Sequence, residues 1–144
     1  MKRILAFALL PVFALAGCAS TEVKDASDLY GYITSKGVDC IDPETEAFVS
    51  DPKEGAPLLS GSGELLTCLD SNGEALLFRI YDVSETKFDC NRVDEWDAGD
   101  VAGGANWFLQ YNHETVKYSQ EVVARELGVT LLDEYDWMCQ FPSR

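Results

Sequence analysis

The side chains best equipped for chemistry in this 144-residue chain are five cysteines, one histidine and a surplus of carboxylates, 25 Asp and Glu against 11 Lys and Arg. Cys18 stands alone near the start, while Cys40, Cys68, Cys90 and Cys139 follow at spacings of 28, 22 and 49 residues. Metal clusters and thioredoxin-like redox sites need close cysteine pairs, and no Cys-x-x-Cys occurs, so no metal centre is expected. His113, next to Glu114 at the start of a helical pattern, has the setting of a solvated surface residue. The chain contains no G-x-S-x-G, H-E-x-x-H or P-loop motif. Catalysis by carboxylates alone requires a pair in a cleft with separated pKa values, and nothing singles out such a pair. The expectation is therefore a protein that is not an enzyme, with no catalytic residue and no cofactor.

The acids cluster twice: Asp39, Asp42, Glu44 and Glu46, then Asp94, Glu95, Asp97 and Asp100. Neither run follows the D-x-[DN]-x-[DN]-G calcium loop; in a loop begun at Asp94, Trp96 falls at the third position, and Gly99 comes too early. Both are expected to be solvated acidic loops. Trp96 is a large aromatic outside any periodic segment. An aromatic anchor ringed by charge is how a protein-binding hot spot often reads, so Trp96 with Asp94, Glu95, Asp97 and Asp100 is the candidate protein-binding set. The competing reading is a tryptophan folded back to pack its own loop. Trp107 and Phe108, in a stronger apolar context, are expected in the core, and Trp137, beside Asp136, partly exposed.

The N-terminus indicates where such a protein would be held. Lys2 and Arg3 precede an apolar run from Ile4 to Ala16, too short to span a bilayer permanently, which ends in Leu15-Ala16-Gly17-Cys18. This resembles the lipobox of bacterial lipoproteins. The resemblance covers about the first 20 residues and implies diacylglycerol transfer to the Cys18 thiol, cleavage after Gly17 and acylation of the new amine. Multiple acyl chains anchor stably where one does not. Ala19, with no aspartate after Cys18, implies the periplasmic side of the outer membrane rather than the inner membrane. On this reading residues 1–17 are signal peptide, 18–28 the lipidated cysteine and a tether, and 29–144 one globular, periplasm-facing domain. Beyond the cytoplasmic membrane, four scattered cysteines most simply form two disulfides.

Within the domain, Leu29–Thr34 reads as a first strand, and residues 35–64, rich in Gly, Pro and acids, as loop with short extended pieces. Glu64–Asp70 and Glu74–Tyr81 flank Asn72-Gly73, the favoured pair for a two-residue hairpin turn. That closure places Leu69, Thr67 and Leu65 opposite Leu76, Phe78 and Ile80. A helix over Glu74–Tyr81 is also permitted by its Glu, Ala and Leu content. A third strand, Thr86–Cys90, is expected beside the second, which would put Cys68 and Cys90 two strands and about 9.6 Å apart, beyond disulfide reach. Of the remaining pairings, the shorter loops favour Cys40–Cys68 with Cys90–Cys139. A helix is expected over His113–Leu127, capped by Asn112 and closed by Gly128, with Glu121 and Arg125 paired outside. A second helix would start near Thr130, with Asp133 completing its cap, and end in Cys139. The expected fold is α+β: a small antiparallel sheet with a central hairpin, packed against one or two C-terminal helices and stapled by disulfides.

Loss of Lys2 and Arg3 with the signal leaves 25 acids against nine bases, a net −16. Such a surface repels nucleic acid and anionic lipid, so no nucleic-acid partner is expected and contact with the membrane would run through the lipid anchor. The leading function is non-catalytic binding of another envelope or periplasmic protein, basic in charge, as in an inhibitor or immunity protein facing a cell-wall-acting enzyme. The alternative is a pilotin-like or accessory assembly lipoprotein of an outer-membrane machine, and a third class is a small-molecule or cation-binding module. Cys18→Ala should abolish incorporation of acyl label and leave unprocessed precursor; an unmodified, soluble periplasmic protein would overturn the lipoprotein reading.

Overall fold

The computed structural model describes residues 21–50, 58–91, 99–110 and 116–142. Its elements are α1 (Ala26–Ser35), β1 (Ile41–Ser50), β2 (Leu58–Leu69), β3 (Ala75–Tyr81), β4 (Lys87–Phe88), β5 (Asp100–Val101), β6 (Trp107–Leu109), α2 (Val116–Leu127), β7 (Leu132–Asp133) and α3 (Glu134–Cys139). The chain is a small α+β domain. Its main antiparallel sheet runs β1-β2-β3-β6 with β4 against the start of β2, and β5 and β7 form a separate ribbon.

Successive side chains of a strand point to opposite faces, and both faces of this sheet are used. One carries Leu66, Cys68, Phe78, Ile80 and Trp107 against Leu29 and Ile33 of α1 and Val123 and Leu127 of α2. The other carries Tyr81 and Phe108 against Trp137, Met138 and Phe141, with Phe48 and Phe88 packed alongside. Trp107 and Phe108 are both buried, as expected. Trp137 is not partly exposed as expected. It is 3% exposed, its Nε1 donates to the Gly104 carbonyl at 2.8 Å, and its ring lies 4.7 Å from that of Phe108.

The central hairpin forms in a different register from the expected one. Asp70 N–H donates to Glu74 O at 2.8 Å and Gly73 N–H to Asp70 O at 3.0 Å, so the connection is three residues, not two. Asp70 Oδ1 also accepts from the backbone N–H of Asn72 and Glu74, at 2.8 and 2.9 Å, and Gly73 takes the positive φ of +81°. A turn closed by a glycine in the left-handed region is the usual three-residue hairpin. One residue of slip exchanges faces: Leu66, not Thr67, lies opposite Phe78, and Leu65 opposite Arg79.

Four further expectations are corrected. Leu29–Thr34 is helix rather than strand: Asp25 caps it by accepting from Asp28 N–H at 2.8 Å, and Ala26, Leu29 and Ile33 form its buried stripe. Val23 and Ala26 are therefore part of the core rather than tether. The stretch 35–64 holds β1 and the first half of β2. As the open edge of the sheet, β1 is exposed along most of its length, so it shows no burial alternation to read. Thr86–Cys90 contributes β4 beside β2, because β2, at 12 residues, overhangs the seven of β3; β6 takes the place beside β3. The final helix starts at Asp133, whose side chain accepts from Tyr135 N–H at 2.9 Å, not at Thr130.

The disulfides are Cys40–Cys68 and Cys90–Cys139, with Cα–Cα distances of 5.1 and 5.8 Å. That is the expected pairing, although the strand order used against Cys68–Cys90 does not hold. Helix α2 ends as expected: Gly128, at φ +66°, donates to Arg125 O at 3.2 Å and Val129 to Ala124 O at 3.0 Å. Arg125 pairs with its neighbour Glu126 at 3.3 Å rather than with Glu121. Asn112 and His113 lie outside the described residues. Among the described residues no helix is long and apolar enough to cross a membrane.

Gly63 sits between Phe48 and Tyr81, whose rings meet edge-on at 5.4 Å, and a Cβ at Gly63 would overlap the Ile80 carbonyl oxygen. Gly31, inside α1, has open space around it. Gly63→Ala should therefore destabilise the domain by about 1–3 kcal/mol, whereas Gly31→Ala should stabilise it by about 0.5–1 kcal/mol. Thermal melts of the two variants should shift in opposite directions; equal shifts would refute the close approach at Gly63.

Candidate functional site

Of the expected site residues, Cys18, Asp94, Glu95, Trp96 and Asp97 lie outside the described residues. Asp100 opens β5, is exposed, and stands opposite Asp133 of β7. The four later cysteines form the two disulfides, so the pair at 90 and 139 tethers the segment before the acidic run to α3. Tyr135 of α3 reinforces this by donating its hydroxyl to Cys90 O at 2.6 Å. On the far side of the run, the Glu134 N–H donates to Gly99 O at 3.1 Å. The two flanks of residues 92–98 thus rest on the same short helix. Asp133, Glu134 and Asp136 give that helix end an acidic character of its own.

Beneath this end lies a polar group that the sequence reading did not single out. Arg79 of β3 is half-buried, with its guanidinium carbon 4.9 Å from the centroid of the Phe48 ring, and its Nη2 donates to Gln110 Oε1 at 3.1 Å. A guanidinium over an aromatic face is stabilised by the ring quadrupole. Burial pushes the Glu134 carboxyl from the ordinary 4.5 up to about 7; the charge of Arg79 opposes the rise and that of Asp133 adds to it. Burial likewise raises the Tyr81 hydroxyl, again opposed by Arg79. Arg79 and Glu134 do not close an ion pair. Among the described residues the one salt bridge is Arg125–Glu126, on the exposed side of α2. The carboxyl therefore remains partly protonated at neutral pH beside an arginine held by an amide and a ring.

The signal for this group was present but weak. Arg79 alternates with the apolar Phe78 and Ile80 on the strand, as an outward-facing residue would, and Glu134 is one acid among several in a row. Only the docking of α3 onto the sheet brings them near each other. Compared with known proteins, the chain matches no family model, no curated protein and no solved structure.

The raised Glu134 pKa has a definite sign. Between about pH 4.5 and 7 the folded chain holds a proton there that the unfolded chain has released, so this group makes stability fall as pH rises through that window. Glu134→Gln should match the parent at pH 4 and exceed it at pH 8, by at most about 3 kcal/mol for a shift of this size. Denaturation curves at both pH values test this, and parallel behaviour of the two proteins would show that the carboxyl is not held protonated.

Proposed function

We propose that this is a non-catalytic envelope lipoprotein, anchored through Cys18 on the periplasmic side of the outer membrane, that binds another and basic protein. An inhibitor or immunity protein facing a cell-wall-acting enzyme fits this description. The observation that supports the reading best is the anchorage of the acidic run: its flanks, Cys90 and Gly99, are both tied to α3. A binding segment with fixed ends gives up less conformational freedom when it meets its partner. Asp94, Glu95 and Asp97 adjoin Trp96 in the sequence, and Asp100 stands opposite Asp133 just beyond Gly99; complementary charge accelerates encounter and suppresses wrong partners.

A buried aromatic anchor typically loses 2 kcal/mol or more on truncation, while rim acids act mainly on association rate. With the partner recovered by pull-down from detergent-solubilised envelope, Trp96→Ala should weaken binding by about thirtyfold without lowering the melting temperature. Asp97→Asn and Asp100→Asn should slow association at low salt and change little at high salt. A drop of several degrees in the melting temperature of free Trp96→Ala would make the residue a packing anchor; no effect in either assay would place the binding surface elsewhere.

A further inference from the structure

The chain is tied to the sheet well before α1 begins. Thr21 O accepts from Trp107 Nε1 at 3.0 Å and from Ala105 N–H at 3.1 Å. A Cβ at Gly104 would stand 2.6 Å from that same carbonyl oxygen and would overlap the Trp107 indole, so the glycine is what lets the two meet. Two residues on, Val23 is buried, and its N–H and carbonyl both bond to the Asn106 side chain, at 2.9 and 2.8 Å. Four hydrogen bonds thus fix the backbone from Thr21 onward. Ala105 and Asn106 lie at the end of the sheet where β3 finishes, since Asn106 O accepts from Tyr81 N–H. The β2–β3 turn is at the opposite end, about 20 Å away along the seven residues of β3.

This clamp shortens the tether. With lipid on Cys18, only Cys18, Ala19 and Ser20 separate it from the fixed carbonyl of Thr21. Three residue steps reach at most about 11 Å, whereas a tether running to Leu29 would reach about 40 Å. A domain of this length has a radius of gyration of about 14 Å and is roughly 36 Å across. The longer tether would let any face meet the bilayer; the shorter one keeps the attached end beside it. Attraction to anionic lipid does not hold it there, because the acids Glu22 and Asp82 are exposed at that end. We infer that the domain stands on the phospholipid headgroups of the membrane that carries it, with the end at Thr21 and Ala105 turned to the lipid and the β2–β3 turn directed away. This rests on the lipid anchor proposed above and adds to it an orientation and a distance. Trp137 of α3 donates to Gly104 O, so α3 shares the membrane-facing end. A protein that binds beside α3 is then one that works at the bilayer surface.

The test uses the processed chain purified from the envelope, with its N-terminal peptide weighed by mass spectrometry. The 15N-labelled protein is placed in phosphatidylcholine bicelles that carry a gadolinium-chelating lipid. Relaxation enhancement falls steeply with distance from the metal, so the amides of Glu22 and Ala105 should relax about tenfold faster, or more, than those of Asn72 and Gly73, given separations of about 11 Å against about 30 Å. Inserting twenty Gly and Ser residues between Ala19 and Ser20 gives a tether with a root-mean-square span of about 25 Å and should bring the two ends to within about twofold of each other. The melting temperature should not change, because the insertion precedes the clamp at Thr21. Equal enhancement at both ends of the parent chain, or a gradient that survives the insertion, would overturn the inference and leave the anchor standing. An N-terminal peptide without acyl chains would overturn both.

Discussion

The architecture hangs on a buried side-chain amide. Asn106 accepts from Val23 N–H at 2.9 Å through Oδ1, and its Nδ2 donates to the carbonyls of Val23 and Tyr81 at 2.8 and 3.0 Å. Its own carbonyl accepts from Tyr81 N–H at 2.8 Å. One residue thus joins the N-terminal segment, the end of β3 and the strand that follows. Gln120 does the equivalent for α2, accepting from Ala102 N–H and donating to Leu109 O, both at 2.6 Å. Leaving any of these groups unpaired in the interior would cost about 1–3 kcal/mol each, so the positions of the segment, the sheet and the helix are set together. The irregular stretch from Ala102 to Asn106 is what these amides hold, and through Gly104 O it also receives the Trp137 indole. The two cores on opposite faces of the sheet are therefore linked through backbone that belongs to neither helix nor regular strand.

That dependence explains which parts of the fold were legible in the sequence. The hairpin strands, the C-terminal helix and its glycine stop, and the disulfide pairing follow from local pattern and loop length, and the α+β class follows from them. The register did not, because Asn72-Gly73 signals a two-residue turn, and what displaces it is the Asp70 carboxylate holding two backbone N–H groups. Helix α1 was missed because Tyr30, Tyr32, Ile33 and Thr34 favour extended backbone locally, while its buried stripe begins at Ala26, within what read as tether. β1 was missed for another reason. An open sheet edge can be built from Asp, Pro and Glu as readily as from apolar residues, and charge and proline there discourage unwanted strand pairing. The candidate site was legible only as composition: the acidic run is plain in the sequence, but the helix that carries both its flanks is brought there by tertiary contacts alone.

The charge distribution divides into two kinds of electrostatics. Most of the described acids are exposed, and their combined field is long-ranged and weakened by salt within about a Debye length. Glu134, Arg79 and Tyr81 are partly removed from water, where the same charges act more strongly and over shorter distance. The carboxyl responds by shifting toward the protonated form rather than by closing onto the arginine. Arg79 is instead held by Gln110 and by the ring of Phe48, which belongs to the edge strand. The cation therefore links β1, β3 and the end of β6 on the face that α3 covers.

A sheet packed on both faces leaves little surface where backbone or side chains are free to respond to a partner. Among the described residues, what remains includes the open edge of β1, the points on α3 that hold Cys90 and Gly99, and the cleft between the β2–β3 turn, the end of α1 and α2. They differ in how much preparation the fold has made for an occupant. The edge offers only backbone already blunted by Pro43, Glu44 and Glu46. On either side of residues 92–98, Cys90 and Gly99 are fixed to α3. The cleft has a rigid wall, because Leu76, Val38 and Val123 are held by the same core that holds α1 and α2 to the sheet. The cleft wall is thus set by core packing, whereas Cys90 and Gly99 are held to α3 by a disulfide to Cys139 and by hydrogen bonds from Tyr135 and Glu134.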